Sequence, residues 1–224
     1  MAPRPPIART RLVAAVAVAF FVLGAVGRLA LGARLTAWDE WALERVAANP
    51  DPVIAGWMGA LSGVGGGWVA VVLALLIGTA LAVRGDRSAA RCYFVTVLSG
   101  WGLNLALKQL FRRPRPNLLS HLDAAGGYSY PSGHSMLAPL VFAFGLYLLT
   151  RTSGPVTRTI ANSFGAALSI AIGMSRMYLA VHYPSDVGAA LVGGTAWAAL
   201  GLAVYSPLEP ISGAARPAGM PAAT

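Results

Sequence analysis

Charge is scarce in this chain of 224 residues: charged residues make up 11% of it, against 56% hydrophobic. A soluble domain carries about 25% charged residues. A soluble fold would therefore have to bury several long apolar runs in one small core. The single cysteine, Cys92, excludes an internal disulfide and a cysteine-built zinc site. It lies in an apolar run, where packing is its expected role. Lys108 is the only lysine among 17 basic residues, and there are only eight acids. Those acids are scattered, so no carboxylate cluster is available to hold a metal. The basic residues fall in small groups between apolar runs, without an aromatic-interleaved stripe. The net charge of +9 thus argues for a membrane surface or an anionic substrate, and against nucleic acid.

What is present is a series of apolar runs. They cover Leu12 to Leu31, Trp68 to Val83, Ala89 to Leu107, Ser135 to Thr150, Ile160 to Met177 and Val187 to Tyr205. A helix needs about 20 residues, at about 1.5 Å each, to cross a ~30 Å hydrocarbon core. The fourth and fifth runs are slightly short unless flanking turns contribute. The first is longer than the ~7–15 residue core of a secretory signal, which favours an uncleaved span. Between the first two runs, Trp38, Trp41 and Trp57 alternate with Asp39, Glu40, Glu44, Arg45 and Asp51. This reads as an interfacial stretch with Trp at headgroup level. The glycines at 63, 65, 66 and 67 then break the chain. The expected architecture is all-α: a tail over 1–11, a six-transmembrane-helix bundle over 12–205, and a Pro- and Ala-rich, disordered tail over 206–224.

Arginine sets the expected orientation. Arg4, Arg9, Arg11, then Arg84, Arg87, Arg91, then Arg151, Arg158, then Arg216 all fall on one side of a six-span bundle. The four acids between Trp38 and Pro52 fall on the other. Both termini are thus expected inside. Lys108, Arg112, Arg113 and Arg115 break this rule on the outer side, which marks them for another task.

Three polar clusters interrupt the apolar pattern: Lys108 to Pro116, Pro131-Ser132-Gly133-His134, and Ser175-Arg176 through His182 to Asp186. Hydropathy puts all three at span ends on the same outer face. They suit phosphoryl transfer, which depends on positioning and charge stabilisation. Lys108, Arg115 and Arg176 supply fixed positive charge, and an arginine fork can bind two phosphate oxygens at once. Ser132 and the Gly133 N–H stand at a helix start, which favours anions. Asp186 lies four residues after His182, one helical turn away, where it can orient the imidazole and stabilise its cation. His182 is then a candidate nucleophile and His134 the candidate acid and base. No metal and no cofactor is called for.

These clusters resemble the signature of the type-2 phosphatidic acid phosphatase superfamily. In this chain it reads Lys108, six residues, Arg115-Pro116; Pro131-Ser132-Gly133-His134; Ser175-Arg176, five residues, His182, three residues, Asp186. The resemblance implies a six-helix membrane core with a metal-independent phosphatase or phosphotransferase site at the extracytoplasmic interface. It implies His182 as nucleophile, Asp186 as its orienting acid and His134 as acid–base. Phosphate binding falls to Lys108, Arg115, Ser132, Gly133 and Arg176. The expected substrate is a membrane lipid phosphate or diphosphate, such as phosphatidic acid, phosphatidylglycerophosphate or a polyprenyl diphosphate. The link from Asn117 to Tyr130 is too short for a separate headgroup domain. Phosphotransfer to another acceptor, and a non-enzymatic anionic-lipid-binding role, stay open as alternatives. Outside the signature, Arg112 and Arg113 read as headgroup anchors. Tyr128 and Tyr130 read as interfacial belt residues. His121 and Asp123 read as solvated loop.

Overall fold

The computed structural model describes residues 32–47, 50–117 and 126–205, with the isolated positions 15 and 22. Residues 1–11, nearly all of the first apolar run, His121, Asp123 and the tail from 206 lie outside the described residues. Among the described residues all regular structure is helical: α1 (Gly32–Ala47), α2 (Pro52–Gly65), α3 (Gly67–Val83), α4 (Arg87–Phe111), α5 (Gly133–Thr150), α6 (Pro155–Tyr178) and α7 (Pro184–Tyr205).

The helix ends follow local chemistry. Asp51 accepts from the N–H groups of Val53 (2.8 Å) and Ile54 (3.0 Å), and Pro52 opens α2. Asp86 caps α4 through Ala89 at 3.1 Å. Arg112, in the left-handed region at φ 44°, closes that helix. Ser132 caps α5, and Gly154 followed by Pro155 begins α6. Pro139 lacks a backbone N–H, and α5 widens to a π-helical turn over Pro139–Ala143. With these caps α5 begins two residues before the fourth run and α6 five residues before the fifth, so both helices are longer than hydropathy suggested.

The core between α3, α4, α5 and α6 is built on Leu81, Tyr93, Leu140, Phe144, Leu148 and Ile172. The Tyr93 hydroxyl donates to the Val141 carbonyl at 3.2 Å. Gly194 of α7 is small for a reason: a Cβ there would lie 2.3 Å from the Met136 carbonyl oxygen. Close backbone approach of this kind is how helices pack where no water drives them together. The outer faces are apolar too, with Leu75, Leu76, Leu98, Ile160 and Phe164 all exposed. A helix bundle apolar both within and without is one that sits in lipid.

By length and composition, α5 and α7 can cross a membrane. The pair α2–α3, bent by 48° at Gly66, makes a third crossing if it is one span. α4 and α6 have the length, at 25 and 24 residues, but more polar faces.

The stretch from Trp38 to Gly65 departs from expectation. Trp38, Trp41 and Trp57 are exposed, as interfacial residues would be, yet Asp39 is fully buried. The stretch forms α1 and α2: α1 packs on α6 and α7, and α2 runs along α6. Asp39 is drawn inward because a buried arginine waits for it.

Candidate active site

The last turn of α4, the segment after it, the start of α5, the end of α6 and the start of α7 converge at one end of the bundle. Lys108 reaches from α4 to the carbonyls of Tyr128 (2.6 Å) and Ser129 (3.5 Å). Arg115 donates to the carbonyls of Gly126 (2.8 Å), Gly127 (3.2 Å) and Val181 (2.8 Å). It also lies 3.1 Å from His182 Nε2. Carbonyls thus moor both cations, so their charge is held in place before any ligand arrives. Ser132 accepts from the Ser135 hydroxyl at 2.9 Å, and its N–H donates to the Asp186 carbonyl at 3.2 Å. This ties the second cluster to the third. Arg176 is buried and bonds the Ser62 hydroxyl of α2, while its carbonyl accepts from the N–H groups of Val181 and His182.

His182 sits in the short link between α6 and α7, with 2% of its surface exposed. Arginine has donors only, so its contact makes Nε2 the acceptor, and the ring proton resides on Nδ1. Burial pushes the imidazole pKa down to about 4, with Arg115 and Lys108 adding to the drop and Asp186 opposing it. At neutral pH the ring is therefore uncharged, with its Nε2 lone pair beside a guanidinium.

His134, at the second position of α5, lines a cleft of about 570 Å³ together with Gly59, Ser62, Gly63, Gly66 and Arg176. Its ring packs on Gly66, where a Cβ would come 1.9 Å from Nε2. The bend between α2 and α3 thus makes room for a site histidine. Gly133 lies beside it, at the start of α5.

All eight residues singled out by spacing therefore fall at this end, but one contact differs from expectation. Asp186 Oδ2 lies 3.7 Å from His182 Nδ1, beyond hydrogen-bond range. The Ser129 hydroxyl stands between them, 2.5 Å from Asp186 and 3.3 Å from Nδ1.

The residues that build this site lie within a stretch of recognisable sequence kinship. Residues 89–209, more than half of the chain, match the PAP2 superfamily. The chain belongs to the PAP2 superfamily. It is 32% identical over 87 residues to phosphatidylglycerophosphatase B of Bacillus subtilis. That stretch is 38% of this chain and 42% of the relative, so it spans less than half of the relative's length. The fold is similar to the crystal structure of a transmembrane PAP2-type phosphatidylglycerolphosphate phosphatase from Bacillus subtilis. The TM-score is 0.79 at 20% identity, over 88% of this chain and 98% of that one. LpxE of Aquifex aeolicus is also similar, with a TM-score of 0.57 at 20% identity over 72% and 92% of the two chains.

The PAP2 signature leaves several site residues unnamed. Arg113 is not a headgroup anchor. It is buried, and it donates to Asp186 at 2.5 Å, to Asp39 at 2.7 Å and to the Ser185 hydroxyl at 2.9 Å. Its guanidinium also stacks 3.9 Å from the Tyr183 ring centre. One signal was available: in Arg113-Pro114-Arg115 the prolines favour extended backbone, where residues two apart share a face. Arg113 should therefore accompany Arg115, while exposed Arg112 keeps the anchor reading. Tyr130 is not a belt residue either. It is buried edge-on against Phe111, with ring centres 4.8 Å apart. Nothing in spacing pointed to Ser62, Asp39 or Ser129, whose partners lie far away in the chain.

Proposed function

We propose that this PAP2 protein hydrolyses a lipid phosphate monoester or diphosphate at the outer membrane interface, without a metal, through a phosphohistidine. The observation that carries this reading is the His182 ring, neutral and buried, with its Nε2 lone pair 3.1 Å from the fixed charge of Arg115. A phosphoryl group entering there would meet a nucleophile and its counter-charge together. His182 Nε2 bonds phosphorus as the phosphorus–oxygen bond to the lipid breaks. His134 gives its proton to the departing oxygen, then takes one from the water that frees phosphate from His182. Arg115, Lys108, Arg176, Ser132 and the Gly133 N–H hold the three phosphoryl oxygens, whose charge is the main burden of the transition state.

The engagement of the nearby acids supports a metal-independent reading. Arg113 holds both Asp186 and Asp39. The cleft at His134 and Arg176 runs along the small residues of α2, and supports a ligand that reaches the site from the bilayer side. Similarity to a phosphatidylglycerophosphatase supports the lipid class. Domain limits of 12–205 for the catalytic unit, and a cell-membrane setting with the site outside, belong to the same reading.

A panel of phosphatidic acid, phosphatidylglycerophosphate and polyprenyl diphosphate tests this, with phosphate release measured for wild type and His182→Ala. Release from at least one lipid, insensitive to chelator, blocked by vanadate and absent in the variant, is expected. Phosphate release that survives His182→Ala would end the phosphohistidine proposal.

A further inference from the structure

His182 keeps its proton on Nδ1, and the position of that proton raises the question of what accepts it. Asp186 is too far, at 3.7 Å. The Ser129 oxygen is nearer, at 3.3 Å. Ser129 in turn lies 2.5 Å from Asp186 Oδ2. An ionised carboxylate has no proton to give, so the hydroxyl donates to it and has its lone pairs free for Nδ1–H. Every direction in the chain is thereby determined: Nδ1–H to Ser129 Oγ, and Oγ–H to Asp186.

Neither end can slide to shorten the gap. Asp186 accepts Arg113 on Oδ1 and the Tyr183 N–H on Oδ2 at 3.0 Å. Arg113 is held in turn by Asp39, which also accepts the N–H (2.9 Å) and hydroxyl (2.5 Å) of Ser185. Ser129 is as firmly fixed: its N–H donates to the Arg113 carbonyl at 2.8 Å, and Lys108 reaches its own carbonyl. Ser129, Asp186 and Asp39 are all fully buried. Polar groups so deep are costly unless their bonds are made, and here each is made to another member of the same network.

We propose that Ser129 is a positioning residue that couples Asp186 to the nucleophile, with Arg113 and Asp39 clamping the carboxylate at the far end. The relay carries orientation and charge, and no proton moves along it. As Nε2 bonds phosphorus, the imidazole becomes cationic while Nδ1 keeps its hydrogen. The polarised hydroxyl then bonds Nδ1–H more strongly and passes the Asp186 charge to the ring. Ser129 stands outside the fixed positions of the PAP2 signature.

This inference rests on His182 being the nucleophile, but its test has a readout independent of activity. The chain has three histidines, so 15N spectra of the full-length protein in nanodiscs resolve His182 by comparison with a His182→Gln variant. Wild type is expected as the Nδ1–H tautomer. Ser129→Ala should keep that tautomer, which Arg115 sets at Nε2, but should shift the Nδ1–H resonance upfield as its hydrogen bond is lost, and lower kcat on the order of 100-fold with KM within about twofold, the size of effect expected when a reacting group is misaligned. Ser129→Thr should restore most of both. An Nε2–H tautomer in wild type overturns the relay, even if the alanine variant fails to fold. So does a Ser129→Ala protein with unchanged kcat and an unchanged Nδ1–H resonance. An intact relay signature in a wild-type protein that releases no phosphate overturns the phosphatase reading instead.

Discussion

At the scale of single residues, the proposed phosphohistidine mechanism places two opposed demands on His182. Its lone pair must be free, so the ring must be neutral. Its cation must be tolerated once phosphorus is bound, so a carboxylate must be near. Burial meets the first demand by pushing the pKa down to about 4, and Asp186, acting in the opposite direction, serves the second. The folded value lies below the ordinary imidazole value of about 6.5, so protonation favours the unfolded chain. The stability contributed by the neutral ring is fully present above about pH 6.5. It is lost as the pH falls toward about 4. The acid limb of kcat/KM belonging to His182 should therefore lie near pH 4, well below that of a free imidazole. The substrate phosphate titrates too. Two substrates differing in phosphate pKa separate the effects, because the limb belonging to His182 stays put between them. A direct 15N titration checks the same point: a His182 midpoint at or above 6.5 would contradict it.

At the scale of elements, the bend between α2 and α3 is the least expected contributor. Gly66 has an extended backbone (φ −143°, ψ 178°) that alanine adopts freely, so conformation does not require glycine there. The requirement is space for His134. Gly66→Ala should therefore push the His134 ring aside, lowering kcat about tenfold or more. The thermal midpoint should fall by only a few degrees, since the backbone is unstrained and the clash is with the movable end of one side chain, an overpacking cost of about 1–3 kcal/mol. Unchanged kcat would mean that His134 does not act from its position against the bend. This element also marks the limit of what the chain discloses in one dimension. Five of the six apolar runs, α3 to α7, were legible because each carries its own signal of hydropathy, glycine and proline. The gathering of the eight signature residues at one end was legible because each cluster is local. The glycine break was visible, but its partner His134 lies 68 positions on, and nothing near Gly66 names it. Asp39, Ser62 and Ser129 were illegible for the same reason: each earns its place only through a contact with a distant segment.

At the scale of the whole molecule, the two ends of α4 set the geometry. Arg84 donates to the Leu149 carbonyl at 3.2 Å, and Arg151 pairs with Asp86 at 2.5 Å, so the first arginine-rich link and the end of α5 share one end of the bundle. The other end of α4 carries Lys108 and the site. At about 1.5 Å per residue, its 25 residues span roughly 37 Å, more than the ~30 Å hydrocarbon core. With α4 as a span, the arginine end and the Lys108 end face opposite sides of a bilayer. Loop arginines favour the cytoplasmic side, and on that rule we propose that the site faces outside. Reporter fusions at Gly85 should read cytoplasmic, and fusions at Gly126 should read external. The same argument makes a functional demand. Sealed vesicles oriented as in the cell should release phosphate from lipid in the outer leaflet, and should act on inner-leaflet lipid only after permeabilisation. The reverse pattern would turn the molecule over. Lys108, Arg115 and Arg176 would then obey the positive-inside rule, and their charge would no longer need a phosphate to explain it.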